Sequence, residues 1–115
     1  GQLHAATLGH EHIREIYDLV YALDPTANMG MTANPFALED GAALLAPHFS
    51  RVALHPYPDH LEITAVDPLV AYIRSMLVST QATPAEIEQH VRQTLARHNG
   101  IFRVRKINGL FIAQP

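Results

Sequence analysis

Gln2-Leu3-His4-Ala5-Ala6-Thr7, then Leu8-Gly9, then a helix-patterned run over residues 12–23: this opening decides how the chain is read. Residues 2–7 are short, mostly apolar and free of Gly and Pro, the pattern of a buried strand. Gly9 ends it. Ile13, Ile16, Tyr17, Val20 and Leu23 then recur at i, i+3, i+4 and i+7, one apolar helix face. Glu11 and Glu15 lie early in this helix, where negative charge suits the positive end of its dipole. Asp24-Pro25 stops it, because proline drives the preceding residue out of the helical region. A strand, a glycine and a crossover-type helix in that order predict an α/β sheet.

Residues 25–35 carry two prolines, a glycine and two asparagines without a period and read as loop. Residues 36–49 predict a helix, with Leu38, Ala42, Leu45 and Phe49 at helical spacing, Glu39 and Asp40 in the first turn and Pro47 closing it. The alternation in 51–55 and again in 60–64 predicts two strands, joined through Pro56-Tyr57-Pro58-Asp59 as a turn. Asp67-Pro68 reads as an N-cap with Pro at the first helical position, opening a helix with Leu69, Val70, Ile73, Met76 and Leu77 inside. Thr83-Pro84-Ala85-Glu86 is a capping box. Its helix carries Ile87, Val91 and Leu95 on one face and stops at Asn99-Gly100. Residues 102–106 and 110–113 read as two strands around Asn108-Gly109, a strong hairpin signal. The order is β–α–loop–α–β–β–α–α–β–β, so a sheet that begins with a crossover ends in antiparallel strands.

With 115 residues and 12.7 kDa, the chain predicts one domain, residues 1–115. Hydrophobic residues are 48% and charged residues 17%, which argues against disorder. Lys plus Arg is 8 against 11 for Asp plus Glu, a net charge of −3, which argues against a partner held by phosphate contacts. No apolar run is long enough to span a membrane. The absence of Cys excludes disulfides, thiolate metal sites and a cysteine nucleophile. The expectation is a cytoplasmic protein with neither nucleic acid nor membrane as partner. The strand-like start, without an initiator Met, predicts a piece of a longer protein.

Chemistry-bearing residues are many but scattered. The eight histidines invite a metal reading, above all His10-Glu11-His12. An i, i+2 pair does not share a helix face, so helical zinc spacing is missing and no metal site is expected. Ser50, Ser75 and Ser79 lack the glycine elbow of a hydrolase nucleophile. Glu39, Asp40, Glu86 and Glu88 fit helix starts. Arg103, Arg105 and Lys106 form a small basic strand patch. The six glycines, at 1, 9, 30, 41, 100 and 109, make no phosphate cradle.

One arrangement is more specific. Thr7, Gly9, His12 and Glu15 fall in register with a strand–Thr–Asn–Gly–x–x–His–x–x–Glu pattern, with Leu8 in place of the Asn. This segment resembles the one after strand five in a group of class I S-adenosylmethionine-dependent methyltransferases. Phe36-Ala37-Leu38-Glu39-Asp40-Gly41 through Leu45, then Phe49-Ser50-Arg51-Val52, looks like that family's next helix and strand six. Leu61-Glu62-Ile63-Thr64 and Asp67-Pro68-Leu69-Val70-Ala71-Tyr72-Ile73-Arg74-Ser75 are similar to a strand and helix carrying Tyr-x-x-Ser. Residues 102–106 with 109–113 look like the terminal strand pair. The resemblance runs in order along nearly the whole chain, and it covers only the C-terminal half of such an enzyme.

The resemblance implies the C-terminal portion of a Rossmann-like methyltransferase sheet, ending in antiparallel strands and carrying added helices. It implies a full-length parent that transfers a methyl group from S-adenosylmethionine to a small-molecule acceptor. The glycine-rich cofactor loop and the ribose-holding acid lie outside this chain, so this chain alone is expected neither to bind the cofactor nor to react. Thr7, Gly9 and His12 are the leading acceptor-site candidates, since ligands sit at strand ends in α/β sheets. Met29, Met31, Tyr57 and Tyr72 are candidate lining residues, from segments (25–35, 56–58 and the helices 68–77 and 84–98) that would cover the acceptor. Without strand four, the edge of the first strand is left open, which predicts a homodimer. The alternatives are a non-catalytic α+β module, binding a partner through the basic strand or near 25–35, and a His-rich metal protein.

Overall fold

A computed structural model describes residues 1–30 and 36–115. Its elements run β1 (Leu3–Leu8), α1 (Arg14–Leu23), α2 (Gly41–Leu45), β2 (Arg51–Ile63), α3 (Val66–Met76), α4 (Pro84–Arg97) and β3 (Phe102–Gln114). The architecture is α/β, with a three-stranded open antiparallel sheet in the order β1-β3-β2 and four helices among the described residues. The chain divides into two compact units: Gly1–His12, Ala33–Asp59 and Arg105–Pro115 form the first, Ile13–Thr32 and His60–Val104 the second.

β3 is the central strand because it carries the most buried apolar surface. In the first unit it buries Phe111 and Ala113; in the second, Phe102 and Val104. β1 pairs with it antiparallel, Leu3 opposite Ala113 through to Leu8 opposite Asn108. β1 is therefore an edge strand, and the expectation that its residues are buried is corrected. Ala5 and Thr7 are half-buried, while Leu3, His4, Ala6 and Leu8 are exposed.

Two further expectations change. Asn108-Gly109 makes no hairpin: both lie inside β3, facing Leu8 and Thr7 of β1. The buried positions of β3 are even-numbered at its start and odd-numbered at its end. That change of parity interrupts the alternation and makes one strand read as two. Pro56-Tyr57-Pro58-Asp59 is likewise no turn but the middle of β2. β2 lies at the sheet edge, where a residue without an N–H costs no ladder bond on the solvent side.

In the first unit, Phe36, Leu38 and Phe49 pack with Ala5 and Val52 around buried Leu45, Phe111 and Ala113. Phe36 meets Phe111 edge to face, with centroids 5.6 Å apart at 61°. The helix expected over 36–49 shortens to α2. Leu38 donates its N–H to the Leu8 carbonyl (3.1 Å), which pins this segment to β1 before the helix begins. At Gly41 a Cβ would sit 2.3 Å from the Phe111 ring, so only glycine lets α2 come this close to β3.

The second unit buries Ile16, Leu19 and Val20 of α1, Leu69 and Ile73 of α3, and Ile87, Val91 and Leu95 of α4 against Phe102 and Val104. The capping box of α4 forms as read. Thr83 Oγ1 accepts the Glu86 N–H (3.2 Å), and Glu86 Oε1 accepts the Thr83 N–H (3.0 Å). These bonds hold the Glu86 carboxyl below its ordinary pKa. The helix closes with Asn99 in the left-handed region (φ 57°). Asn99 N–H donates to Ala96 O and Gly100 N–H to Leu95 O, a Schellman pattern. α3 begins at Val66, ahead of the expected Asp67 cap, and Ala65 caps it without a side-chain bond. α1 begins at Arg14, after Ile13, which holds φ 48° while 6% exposed. A β-branched residue adopts that conformation rarely; burial of its side chain in the core offsets a cost of roughly 1–2 kcal/mol.

Candidate functional site

The turn that follows β1 holds three of the sequence candidates in the first unit. Thr7 donates its hydroxyl to the Phe36 carbonyl. Gly9 donates its N–H to Ile107 O (2.8 Å), extending the β1–β3 ladder past Leu8. A Cβ at Gly9 would lie 2.4 Å from the Ile107 side chain and 2.9 Å from Glu39 Oε1, so the close approach requires glycine. His12 Nδ1 accepts the Ile107 N–H (2.9 Å). Both polar groups of the Ile107 peptide are thus taken by this turn.

The bond at Nδ1 assigns the ring proton of neutral His12 to Nε2. Partial burial, and then the positive charge of Lys106, push its pKa below the ordinary value. His12 therefore offers an Nε2–H donor, and its one lone pair is already used, so it can position an acceptor but not deprotonate one through Nδ1. Protonation would also destroy the bond to Ile107. Because the folded pKa lies below the unfolded one, the bond contributes fully above the ordinary histidine pKa and is lost as pH falls from there through the lowered pKa of the folded state. His12→Asn keeps an acceptor near the Nδ1 position without titrating. Urea midpoints of the wild type should fall more steeply between neutral and mildly acid pH than those of His12→Asn. Parallel profiles would contradict this role.

Beside this turn, His10 N–H donates to Glu39 (3.0 Å to Oε1), and His10 Nε2 lies 3.1 Å from Asp40 Oδ2. Glu39 and Asp40, read as helix-start charges, do lie at the start of α2, Asp40 as its N-cap residue, and their side chains also tie the 36–40 segment to the β1 turn. Tyr57, 56% exposed on β2, lines a shallow concavity of about 600 Å³ with Ala6, Thr7, Leu8, Asn108 and Leu110. Thr7 and Tyr57 are thus brought to one surface. A neighbouring hollow of about 640 Å³ is lined by Arg51, Ala53, His55, Ile112 and Gln114, among others.

The remaining candidates belong to the second unit or fall outside the described residues. Met29 is 5% exposed within the core cluster, and Tyr72 is 46% exposed on α3. Met31 lies outside the described residues. Arg103 sits 3.7 Å from Glu62, and Arg105 of the first unit 3.9 Å from Glu11, so both arginines of the basic patch meet carboxylates. Histidines are spent singly: His90 Nε2 bonds to Leu19 O (2.8 Å), His60 approaches Glu62 (3.7 Å), and His98 stacks edge-on against Phe102. Among the described residues no three His, Asp or Glu side chains converge where they could hold a metal ion. Among the described residues no helix is long and apolar enough to cross a membrane.

Asp24 is the polar hub that the sequence reading missed. It is 6% exposed. Oδ1 accepts the Thr26 N–H (2.9 Å) and hydroxyl (2.6 Å); Oδ2 accepts the Thr80 hydroxyl and the Gln81 N–H (2.7 Å each). The bonds from Thr26 first, then from Thr80 and Gln81, hold its carboxyl well below the usual carboxylate range. With all its acceptor capacity engaged, Asp24 fastens the end of α1 to residues 80–81 and is a structural anchor. The Asp-x-Thr spacing, an Asx-turn signal, was the trace it left in the sequence. No family model and no curated protein matches the chain.

Proposed function

We propose that this chain is the C-terminal, acceptor-side half of a class I S-adenosylmethionine-dependent methyltransferase acting on a small-molecule acceptor. The observation that carries the reading is the setting of β1. It is bonded on one side to an antiparallel final strand, no strand among the described residues pairs with its other side, and it leads through Gly9 into α1. That is the setting expected of a strand five whose neighbour belongs to the cofactor-binding half of a Rossmann-like sheet. The Thr7–Gly9–His12 turn lies at the C-terminal end of β1, where such sheets place ligands. Methyl transfer asks little acid–base chemistry of this turn, because its rate comes largely from holding the acceptor near the sulfonium methyl.

The experiment is a pair of titrations with S-adenosylmethionine by calorimetry. One uses this chain; the other uses the polypeptide encoded by the full reading frame. No heat of binding is expected for the chain alone, and saturable binding is expected for the full polypeptide. Micromolar binding to the chain alone would overturn the assignment of the cofactor loop elsewhere. No binding by the full polypeptide, or a reading frame with no strand and glycine-rich loop ahead of Thr7, would overturn the methyltransferase reading.

A further inference from the structure

We propose that the open face of the first unit's sheet binds a small amphiphilic carboxylate at its Arg51 end, apart from the acceptor site. Strand alternation makes this face. Ala5, Val52, Phe111 and Ala113 turn to the core, so Arg51, Ala53 and His55 of β2 and Ile112 and Gln114 of β3 turn the other way. With Gln2 they line the hollow of about 640 Å³. The strands bring polar ends together there: Gln2 leads into β1, Arg51 opens β2 and Gln114 closes β3. The Thr7–Gly9–His12 turn lies at the other end of β1.

The chemistry of the lining selects an anion. Arg14, Arg92, Arg103 and Arg105 each meet a carboxylate. Among the described residues no carboxylate comes within ion-pair distance of Arg51, and no acidic side chain lines the hollow. Gln2 Oε1 accepts from His4 Nε2 (3.2 Å), which leaves the Gln2 amide N–H groups to donate. The side chains of Gln114 and His55 hold no hydrogen-bond partner among the described residues. Ser50 is already spent, its hydroxyl donating to the Pro115 carbonyl. A guanidinium sets two parallel N–H groups against a carboxylate. An exposed ion pair alone contributes little, so the amides of Gln2 and Gln114 beside that fork, and the apolar floor of Ala53 and Ile112, must add to it. His55 lies four residues beyond Arg51, about 13 Å along the strand. The ligand that fits is therefore a carboxylate head on an extended apolar chain.

The test is a titration of the chain with sodium octanoate below its micelle concentration, followed by backbone amide NMR. Sodium acetate and inorganic phosphate serve as headgroup controls. Octanoate should give saturable shifts at residues 51–55 and 112–114, and the two controls far weaker ones. Arg51→Ala should weaken octanoate binding about tenfold or more, the scale of a lost charge-assisted pair. Ala53→Glu, which sets an acid on the floor of the hollow, should abolish the shifts. Both positions are exposed, so the far-ultraviolet circular dichroism of both variants should be unchanged. No saturable shift with octanoate, an Arg51→Ala affinity equal to that of the wild type, or phosphate binding as tight as octanoate would overturn the proposal. Either result leaves the methyl-transfer reading where it stands, since that is tested on the full polypeptide with a different ligand.

Discussion

Phe111→Ala should lower stability by about 3–5 kcal/mol, the usual cost of deleting a fully buried aromatic ring. Phe111 is 0% exposed and is the largest side chain of the first unit's core. Phe36 loses its edge-to-face partner, and the space that Gly41 leaves for the ring becomes a cavity. Leu45 and Ala113, the other buried members of this cluster, are too small to refill it. Denaturant unfolding followed by amide exchange should show the amides of the first unit losing protection. A loss below about 1 kcal/mol would mean that the 36–49 segment does not pack on β3 as described.

Ile73→Ala should cost about 2–5 kcal/mol through the second unit. Ile73 is 1% exposed on α3, within a cluster that includes Ile16, Val91 and Val104. It also lines a narrow void with Leu19, Ile87 and Asp24, which the truncation would enlarge beneath the bonds from Asp24 to Thr80 and Gln81. Thermal unfolding of the variant should come many degrees lower than that of the wild type, by roughly 4–8 °C for each kcal/mol lost in a domain of this size. An unchanged midpoint would remove Ile73 from the core. Tyr72, its exposed neighbour on the same helix, serves as the control: Tyr72→Ala should leave the midpoint nearly unchanged.

What could be read from sequence was what local chemistry decides. The capping box at Thr83–Glu86 and the stop at Asn99-Gly100 depend on residues a few positions apart, and both form. The apolar faces of α1, α3 and α4 follow from helical spacing, and Ile16, Ile73 and Val91 are buried as that spacing requires. The strands were harder. Asn108-Gly109 carries the chemistry of a tight turn, yet it is held extended by partners far away in sequence, with Thr7 and Leu8 of β1 opposite. Pro56 and Pro58 read as breakers because their tolerance depends on which strand lies at the edge, and only the assembled sheet settles that.

The candidate site divides in the same way. Thr7, Gly9 and His12 were legible as a group because their spacing is local. What they bond to was not legible, since the partners are the main-chain groups of Phe36 and Ile107, which any residue type supplies. Asp24 escaped for a related reason: two of its four donors, Thr80 and Gln81, lie on a segment remote in sequence.

The methyl-transfer reading depends on β1 being a true strand of the sheet, bonded to β3 along one side. Residue-resolved amide exchange along β1 tests this directly. The Ala5, Thr7 and Gly9 amides, which face β3, should be strongly protected. Exchange of Ala5 and Thr7 at the rate of an unstructured chain would contradict the account.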